Sequence, residues 1–248
     1  MRISGNTIFI PGATSGIGLG LARRLHDAGN RVIVGGRRTE LLDEIRDAHP
    51  GIETVRIDTS DADDVARVSA DVQQRFPETN VLIAMAGIMR GEDLRRPDFL
   101  ATAVAEVETN ILGPLRLVAA FGEFLEAQPE ATIVTVSSGL AFTPMAGTPT
   151  YSATKAAIHS FTDSLRLQLA DTSVNVLELV PPAVQTDLTP GQADADWAMP
   201  LDDFCDEVMA LLPTATDEVL VERVKPLRFS EVQGTRADLM AALARQVA

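Results

Sequence analysis

The only tyrosine of the chain, Tyr151, stands four residues before Lys155, one of two lysines among the 21 basic residues. Residues at this spacing share one face of a helix, so the phenol and the ammonium can point into the same cleft. A free tyrosine has a pKa of about 10, and a neighbouring cation lowers that pKa. The pair therefore indicates a proton donor usable near neutral pH. A surface pair on an amphipathic helix is the alternative.

A glycine-rich turn near the N-terminus is a candidate phosphate-binding site. Residues 12–18 read GATSGIG and lie between an apolar run and an amphipathic run. Glycines allow a tight turn and a close approach of the backbone to a pyrophosphate, whose charge is met by the N-terminus of the following helix. The spacing differs from the dinucleotide pattern G-x-G-x-x-G. A tight strand-to-helix turn in another kind of α/β protein is therefore the alternative.

The end of the second predicted strand carries two arginines, Arg37 and Arg38, and no acidic residue. An acidic side chain about 20 residues after such a turn reads a ribose 2′-hydroxyl, whereas arginine forms charge-assisted hydrogen bonds to a phosphate. The pattern favours NADP(H) over NAD(H), unless both arginines are solvated surface charges. Asp58, after the third predicted strand, can accept a hydrogen bond from the adenine amine, and a loop or N-cap role is equally open.

The order of apolar and amphipathic runs predicts the fold that positions these residues. Short, almost continuously apolar runs alternate with amphipathic ones, as in a parallel sheet covered by helices on both faces. We expect one domain over residues 1–248, an α/β Rossmann-like doubly wound sheet of about seven strands. The predicted strands are 7–11, 31–36, 52–58, 80–87, 131–137, 173–180 and 218–224. The predicted helices are 16–29, 39–48, 61–76 with Asp61 as N-cap, a helical region over 98–128, and 151–170.

Composition narrows the possible classes of protein. A net charge of −14 opposes binding to nucleic acid or to an anionic membrane surface. We find no apolar run long enough for a transmembrane helix and no signal-peptide pattern. The single cysteine, Cys205, fits a reducing cytoplasm, so we expect a cytoplasmic protein. The histidines His26, His49 and His159 show no metal-ligand spacing, so no metal is expected.

Together, these motifs resemble the short-chain dehydrogenase/reductase family over essentially the whole chain. The resemblance rests on the YSATK stretch, on Ser138 thirteen residues before Tyr151, on Asn110 further upstream, and on the glycine turn. The segments SSGLAF, ATKAAIHSF and PPAVQT suggest a bacterial, DltE-like branch. The resemblance implies a catalytic set of Asn110, Ser138, Tyr151 and Lys155. Ser138 would stabilise charge on the substrate oxygen, with Ser137 as its rival, and Asn110 would hold a water beside Lys155.

The resemblance also predicts the cofactor contacts. The predicted set is Gly12, Thr14, Ser15, Gly16, Ile17, Gly18, Arg37, Arg38, Asp58, Thr59, Ala86, Gly87, Tyr151, Lys155, Pro181, Val184 and Thr186. In the family, the positions of Val184 and Thr186 hold the nicotinamide carboxamide. Three sites depart from the family pattern, namely Pro11, Ala84-Met85 and Pro182. We expect these departures to loosen cofactor binding more than they alter the type of reaction.

The substrate end is predicted from apolar residues after Ser138 and in the least regular segment, 186–200. The residues predicted to wall an apolar pocket are Leu140, Phe142, Met145, Leu188 and Trp197. Core packing or an oligomer interface is their alternative role. Residues 186–207 are predicted to form a mobile lid. No Arg or Lys occurs in 139–150 or 186–200, which disfavours a small dianionic substrate. His159 is expected to pack or to hold a hydrogen bond rather than to act as a base.

These features predict an NADP(H)-dependent oxidoreductase acting on a ketone, aldehyde or secondary alcohol with an apolar body. The alternatives are a nucleotide sensor that binds NADP(H) without turnover, and an epimerase or dehydratase on the same scaffold. Broad apolar faces on the helices around 100–127 and 150–170 favour a homodimer or homotetramer. The expected partners are a small carbonyl or alcohol and further copies of the chain, with neither nucleic acid nor membrane.

Overall fold

The apolar runs of the chain form the strands of a single sheet. The computed structural model describes residues 1–245, so residues 246–248 of the predicted domain lie outside the described residues. The strands are β1 (Thr7–Pro11), β2 (Arg31–Gly36), β3 (Ile52–Arg56), β4 (Thr79–Ala84), β5 (Ala131–Val136), β6 (Val174–Leu179) and β7 (Glu218–Val219). Neighbouring strands pair in parallel in the order β3-β2-β1-β4-β5-β6-β7. The predicted seven-stranded Rossmann-like sheet is confirmed.

Helices connect the strands. They are α1 (Gly16–Asp27), α2 (Thr39–Ala48), α3 (Ala62–Arg75), α4 (Phe99–Val107), α5 (Gly113–Glu126), α6 (Pro149–Gln168), α7 (Leu201–Leu211), α8 (Lys225–Arg228) and α9 (Arg236–Arg245). A π-helical turn, Glu108–Leu112, joins α4 to α5. The predicted N-cap of α3 is confirmed, because the Asp61 carboxylate accepts from the backbone N–H groups of Asp63 and Asp64. Within residues 1–245, no helix is long and apolar enough to span a membrane.

The core lies in two layers, one on each face of the sheet. Successive residues of a strand point to opposite faces, so Ile8 and Ile10 of β1 belong to one cluster and Phe9 belongs to the other. Helices α1 and α7 contribute to the first cluster, and α3 and α5 contribute to the second. Because both faces are covered, the strands are apolar along almost their whole length.

Several predicted bounds differ from the structure, among them the end of β4, which was predicted at 87 and lies at Ala84. The last strand was expected over 218–224, but β7 ends at Val219, and the 3₁₀ turn Glu222–Val224 follows. There the chain leaves the sheet, as the backbone N–H of Glu222 donates to the carboxylate of Glu207 on α7. The predicted lid 186–207 also extends too far. Residues 201–207 belong to α7, whose Phe204 is fully buried in the core, while the mobility of 186–200 stays a prediction.

Candidate active site

A cleft of about 530 Å³ lies where the carboxyl ends of the strands meet. In an open parallel sheet, this edge is where ligands bind. The cleft is lined by residues that follow β1, β2, β3, β4, β5 and β6. The structure places all seventeen residues of the predicted cofactor set on its wall. Ser138 and Leu188 lie there too, whereas the side chain of Asn110 stands behind the wall.

The glycine turn forms the floor of the cleft at the start of α1. Gly12 has a φ of 92°, and a Cβ added to it would lie 2.4 Å from the Cα of Ala86. A Cβ on Gly18 would lie 2.7 Å from the Cα of Ala13 and 3.0 Å from Cγ of Met85. Separations below 3.0 Å are not found for real Cβ atoms. The positions therefore require glycine, and the backbone lies open to a ligand at the N-terminus of α1.

The positions that depart from the family pattern pack around this floor. Pro11 ends β1, and the next residue, Gly12, donates its N–H to the Gly35 carbonyl at 2.8 Å. Ala86 and Met85 fill the space beside the glycines. The carbonyl of Pro181 accepts from the N–H of Gly139 at 3.0 Å, so the Pro181-Pro182 turn is tied to the end of β5. The effect of the departures on cofactor affinity stays a prediction.

The two arginines after β2 have different surroundings. Arg38 donates to the hydroxyls of Thr14 and Ser15 at 2.8 Å and 2.9 Å, so it braces the glycine turn and is not merely solvated. Arg37 is exposed at the rim of the cleft. Asp58 also lines the cleft. Its Oδ1 accepts hydrogen bonds from the N–H and the hydroxyl of Ser60, as expected if Asp58 stabilises the loop after β3.

Tyr151 and Lys155 lie side by side on α6, both buried. The ammonium of Lys155 lies 5.5 Å from the centre of the Tyr151 ring and donates to the Val136 carbonyl at 2.9 Å. Burial lowers the pKa of Lys155 to about 8 and raises the pKa of Tyr151 to about 12. Loss of hydration, which disfavours the phenolate, is the largest effect on the pKa of Tyr151. The expectation that Lys155 lowers this pKa stays a prediction.

Ser138 stands at the end of β5 and begins a 3₁₀ turn, Gly139–Ala141. Its Oγ accepts from the N–H of Leu140 at 3.1 Å, which leaves the hydroxyl proton available to the cleft. The Ser138 hydroxyl lowers the pKa of Tyr151, against the effect of burial, so it lies beside the phenol. Ser137 also lines the cleft, and among the described residues its Oγ has no hydrogen-bond partner.

Asn110 lies in the π-helical turn and is fully buried. Its side chain accepts from the N–H of Ile88 and donates to the Ile88 carbonyl, both at 2.8 Å. It also donates to Thr154 of α6 at 3.2 Å. A Cβ on Gly87 would lie 3.5 Å from both Asn110 Oδ1 and Lys155 Nζ, so the amide and the ammonium flank the same residue. A π-helical turn at such a position is typical of functional sites.

A sequence profile of one protein family matches the greater part of the chain. The match is to a family described as short chain dehydrogenase and covers residues 6–197, from the glycine turn through α6 to the segment after β6. The chain belongs to the short-chain dehydrogenase family. It is therefore a dehydrogenase or reductase.

Individual relatives of this dehydrogenase extend the comparison. The uncharacterized oxidoreductase DltE of Bacillus subtilis (strain 168) is 39% identical over 243 residues, 96% of this chain and 95% of that relative. Sulfoacetaldehyde reductase 2 of Chromohalobacter salexigens is 31% identical over 195 residues, 77% of each chain. A crystal structure of a short chain dehydrogenase from Burkholderia cenocepacia in complex with NADP has a TM-score of 0.84 at 28% identity, covering 98% of this chain and 99% of that one. The predicted family and DltE-like branch are confirmed.

A buried carboxylate near the Tyr151–Lys155 pair of this dehydrogenase was not predicted. Glu106 of α4 is fully buried, and its Oε1 accepts from the N–H of Arg90 at 2.8 Å. Burial raises the pKa of Glu106 to about 7, and the charge of Glu92 adds to the shift. The charge of Glu106 in turn raises the pKa of Tyr151. The only sequence signal was its place on α4, one helical turn before Asn110.

The residues predicted to wall the substrate pocket do not all lie together, and their role stays a prediction. Of these residues, only Leu188 lines the cleft of the dehydrogenase. Leu140 and Met145 line a second cavity of about 380 Å³ between α6 and α9. Phe142 packs edge-on against His159 with ring centres 4.6 Å apart, and Trp197 is half-exposed outside the cleft wall. The 3₁₀ turn after Ser138 directs the chain away from the cleft towards α8, which linear spacing does not show.

The cleft wall also includes several residues that were not predicted, among them Met89, Arg90 and Gln192. Met89 and Arg90 come from the segment after β4, and Gln192 comes from the irregular segment. The side chain of Gln192 is buried and donates to the Val184 carbonyl at 2.7 Å, so it holds the predicted nicotinamide-binding segment in place. Arg90 places a cation at the cleft. Arg90 lies outside the segments 139–150 and 186–200, whose lack of Arg and Lys disfavours a small dianionic substrate, and that expectation stays a prediction.

His159 forms hydrogen bonds, as expected. Its Nδ1 lies 2.8 Å from Glu178 Oε2, and its Nε2 lies 3.7 Å from Asp163 Oδ2. Within residues 1–245, these three side chains are the one group compact enough to suggest a metal site. The two ring nitrogens face different carboxylates, one in a hydrogen bond and the other in a longer charge contact, which suits an imidazole between two carboxylates rather than a shared metal ion.

Proposed function

We propose that this dehydrogenase binds NADP(H) in the cleft and transfers a hydride between the cofactor and a carbonyl or secondary alcohol. The observation that supports this proposal is the position of the Tyr151–Lys155 pair. Both side chains are buried at the wall of a cleft whose floor is a glycine turn. A buried proton donor beside a site for an anionic nucleotide fits hydride transfer coupled to proton transfer.

The residues of the cleft fit a dinucleotide. The glycine turn presents backbone at the N-terminus of α1, which suits a pyrophosphate. Exposed Arg37 at the rim, with no acidic residue beside it, suits a 2′-phosphate. Val184, Thr186 and Pro181 on the opposite wall suit the nicotinamide end. The relative of known structure from Burkholderia cenocepacia binds NADP. When bound, the cofactor would supply or accept a hydride at the carbon of the substrate.

The chain's own residues would handle the proton and the substrate oxygen. Ser138 would donate its hydroxyl proton to the oxygen in a hydrogen bond, stabilising the charge that develops there. Tyr151 would break its O–H bond and give that proton to the same oxygen. The ammonium of Lys155 would stabilise the phenolate that is left and restore its proton. Asn110 would hold the segment around Ile88 against α6 and keep Lys155 in position.

The substrate we propose is a ketone, an aldehyde or the corresponding alcohol. Leu188 and Met89 provide apolar contact at the cleft, and Arg90 adds a positive charge. A carbonyl compound with an apolar body or with an acidic group therefore fits this end of the cleft. One relative is named as a reductase of sulfoacetaldehyde, an anionic aldehyde.

We further propose that the dehydrogenase forms a homodimer or homotetramer in the cytoplasm. Leu100, Val104 and Val107 of α4 are 59%, 55% and 37% exposed, and they recur at helical spacing along one face. Exposed apolar residues arranged in a stripe are typical of an interface. Sedimentation that shows only monomers at micromolar concentration would contradict this assembly.

The test follows NADPH absorbance with a panel of neutral and acidic carbonyl compounds, comparing the wild type with Tyr151→Phe and NADPH with NADH. We expect consumption of NADPH by the wild type and a loss of kcat of about a hundredfold or more in the variant. Bound NADPH, measured by fluorescence, controls for folding. Binding without turnover of any compound would favour a sensor, and conversion without net cofactor oxidation would favour an epimerase or dehydratase. Equal kcat in both proteins would show that Tyr151 is not the proton donor.

A further inference from the structure

Four side chains that can carry a proton or a charge recur every fourth residue along α6, namely Tyr151, Lys155, His159 and Asp163. This spacing places them on one stripe of the helix. The stripe runs from the cleft to solvent. Tyr151 and Lys155 are buried, while the side chains of His159 and Asp163 are 23% and 53% exposed. The proposed reaction uses only the first two.

A buried carboxylate on the sheet lies beneath this stripe. Glu178 of β6 is fully buried, and its Oε2 lies 2.8 Å from His159 Nδ1. Its partner in the sheet is Thr135 of β5, and Lys155 donates to the carbonyl of the next residue, Val136. Among the charged groups, Glu178 is the strongest influence that raises the pKa of Lys155. Glu178 therefore contacts His159, and it lies across the sheet from the residue that precedes the carbonyl bound by Lys155.

Two oxygens in this layer lack protein partners. In the described part of the chain, neither Glu178 Oε1 nor Ser137 Oγ has a hydrogen-bond partner, although both are buried. Ser137 follows β5 two residues after Thr135, so both unpaired oxygens lie near the backbone to which Lys155 is bound. A buried polar atom without a partner costs free energy. Buried waters typically bind such groups, making about three hydrogen bonds each.

We propose that Glu178 and His159 form a proton path that connects Lys155 to solvent beside Asp163. This inference rests on the proposed function. During reduction, the ammonium of Lys155 restores the proton of Tyr151 and is left as an amine. Solvent gives a proton to Nε2 of His159, the imidazolium gives its Nδ1 proton to the Glu178 carboxylate, and Glu178 passes a proton to the amine through a buried water bound by its unpaired Oε1. Rotation of the imidazole ring then turns its remaining N–H towards Glu178 and its free nitrogen towards solvent. One proton enters from water for each hydride transferred, so the reaction balances.

The charges around His159 suit it to this role. Glu178 faces it from β6, Asp163 from the next turn of α6, and Lys155 precedes it by one turn. The hydrogen bond between His159 and the Glu178 carboxylate raises the pKa of His159, against the effects of burial and of Arg228 on α8. An imidazole beside a buried carboxylate and close to solvent is placed to take up a proton on one side and to release one on the other.

The first experiment needs neither substrate nor cofactor. The chain has three histidines, so their ring signals can be followed by NMR, and the signal lost in His159→Gln identifies His159. We expect a pKa above 6.5 for His159 in the wild type and a lower pKa in Glu178→Gln, because the buried carboxylate is removed. An unchanged pKa in Glu178→Gln, with the fold intact by circular dichroism, would overturn the connection between the two residues.

The second experiment measures turnover. His159→Gln keeps a side chain able to hydrogen-bond Glu178 but cannot change its protonation state. We expect its kcat to fall about tenfold, with unchanged Kd for NADPH, a larger solvent isotope effect on kcat, and partial recovery on adding imidazole. The matched control is His49→Gln, at the end of α2 and outside the cleft wall, which should behave as wild type. A purely structural His159 would give neither recovery by imidazole nor a change in isotope effect, and that outcome would overturn the path.

The two experiments separate this inference from the proposed function. If the wild type reduces no carbonyl compound, hydride transfer is wrong, and the NMR titration alone decides whether Glu178 and His159 are coupled. If the wild type turns over and His159→Gln matches it at every pH, hydride transfer stands and the path is wrong. Protons would then reach Lys155 by another route, such as one beside Asn110.

Discussion

Replacing Glu106 by glutamine should stabilise the protein, and the gain should depend on pH. Glu106 is fully buried, and one carboxylate oxygen accepts from the Arg90 N–H. Among the described residues, its other oxygen has no partner. Glutamine has nearly the same shape and keeps an oxygen for that hydrogen bond, but it is never charged. The substitution therefore removes the cost of a buried charge and little else.

The magnitude follows from the pKa of Glu106, which burial raises from 4.5 to about 7. The folded state holds this proton more tightly than the unfolded state, so stability falls as pH rises through that interval. At 1.36 kcal/mol per pKa unit, the cost reaches about 3 kcal/mol above neutral pH. Below the pKa of the unfolded state, both states are protonated and the cost vanishes. The advantage of Glu106→Gln should thus grow from about 1 kcal/mol near pH 5 to about 3 kcal/mol near pH 8.

The assay is urea unfolding of the wild type and Glu106→Gln at several pH values, followed by circular dichroism. Protein concentration is held constant, because subunit association would make stability depend on it. The matched control is Glu123→Gln on α5, an exposed site where the same change of charge should have a small effect with little pH dependence. An equal stability difference at low and high pH would refute the reasoning, because it would mean that Glu106 is not held protonated by burial.

Two further predictions concern the cleft. Tyr151 is the only tyrosine, so phenolate absorbance after a rapid pH jump reports its pKa directly. We expect a pKa of about 12 without cofactor. With NADP⁺ we expect a lower pKa, because the positive nicotinamide ring favours the phenolate. A pKa of 10 or below without cofactor would contradict the role of burial. Arg37→Ala should weaken NADPH binding about tenfold to a hundredfold and leave NADH binding unchanged. Arg38→Ala should weaken the binding of both NADPH and NADH, because Arg38 holds Thr14 and Ser15 of the glycine turn in place. If the two variants weaken the binding of both cofactors equally, Arg37 does not recognise the 2′-phosphate.

The sequence pattern was sufficient to predict an element where the contacts that determine its bounds are between residues near in sequence. The bounds of β1, β2 and α2 agree with the predicted ranges, since the apolar periodicity of each segment determines where the element begins and ends. The glycine turn was also predictable, because its chemistry lies within seven residues of chain. Prediction failed for the last strand, since β7 lies at the sheet edge and α7 draws the following chain away from it.

In the candidate site as well, some residue positions could be predicted from the sequence and others could not. The predicted cofactor residues lie together on the cleft wall because parallel strands bring their carboxyl ends to one edge, so residues just after each strand must meet. The positions of Leu140, Phe142 and Met145 were not predictable, because the short turn after Ser138 directs them away from the cleft wall and sequence spacing does not encode such a turn.

By itself, the sequence determined the sheet, the glycine floor and the Tyr151–Lys155 pair, because periodicity and one helical turn are local properties of a chain. Only the tertiary structure decided the electrostatics of the site. The direction of the Tyr151 pKa depends on burial, and the charges at Glu106 and Glu178 come from α4 and β6, far from Tyr151 in sequence. Desolvation and Coulomb energies depend on distances in the folded protein and not on sequence separation. The direction of each pKa shift in this site therefore follows only from the tertiary structure.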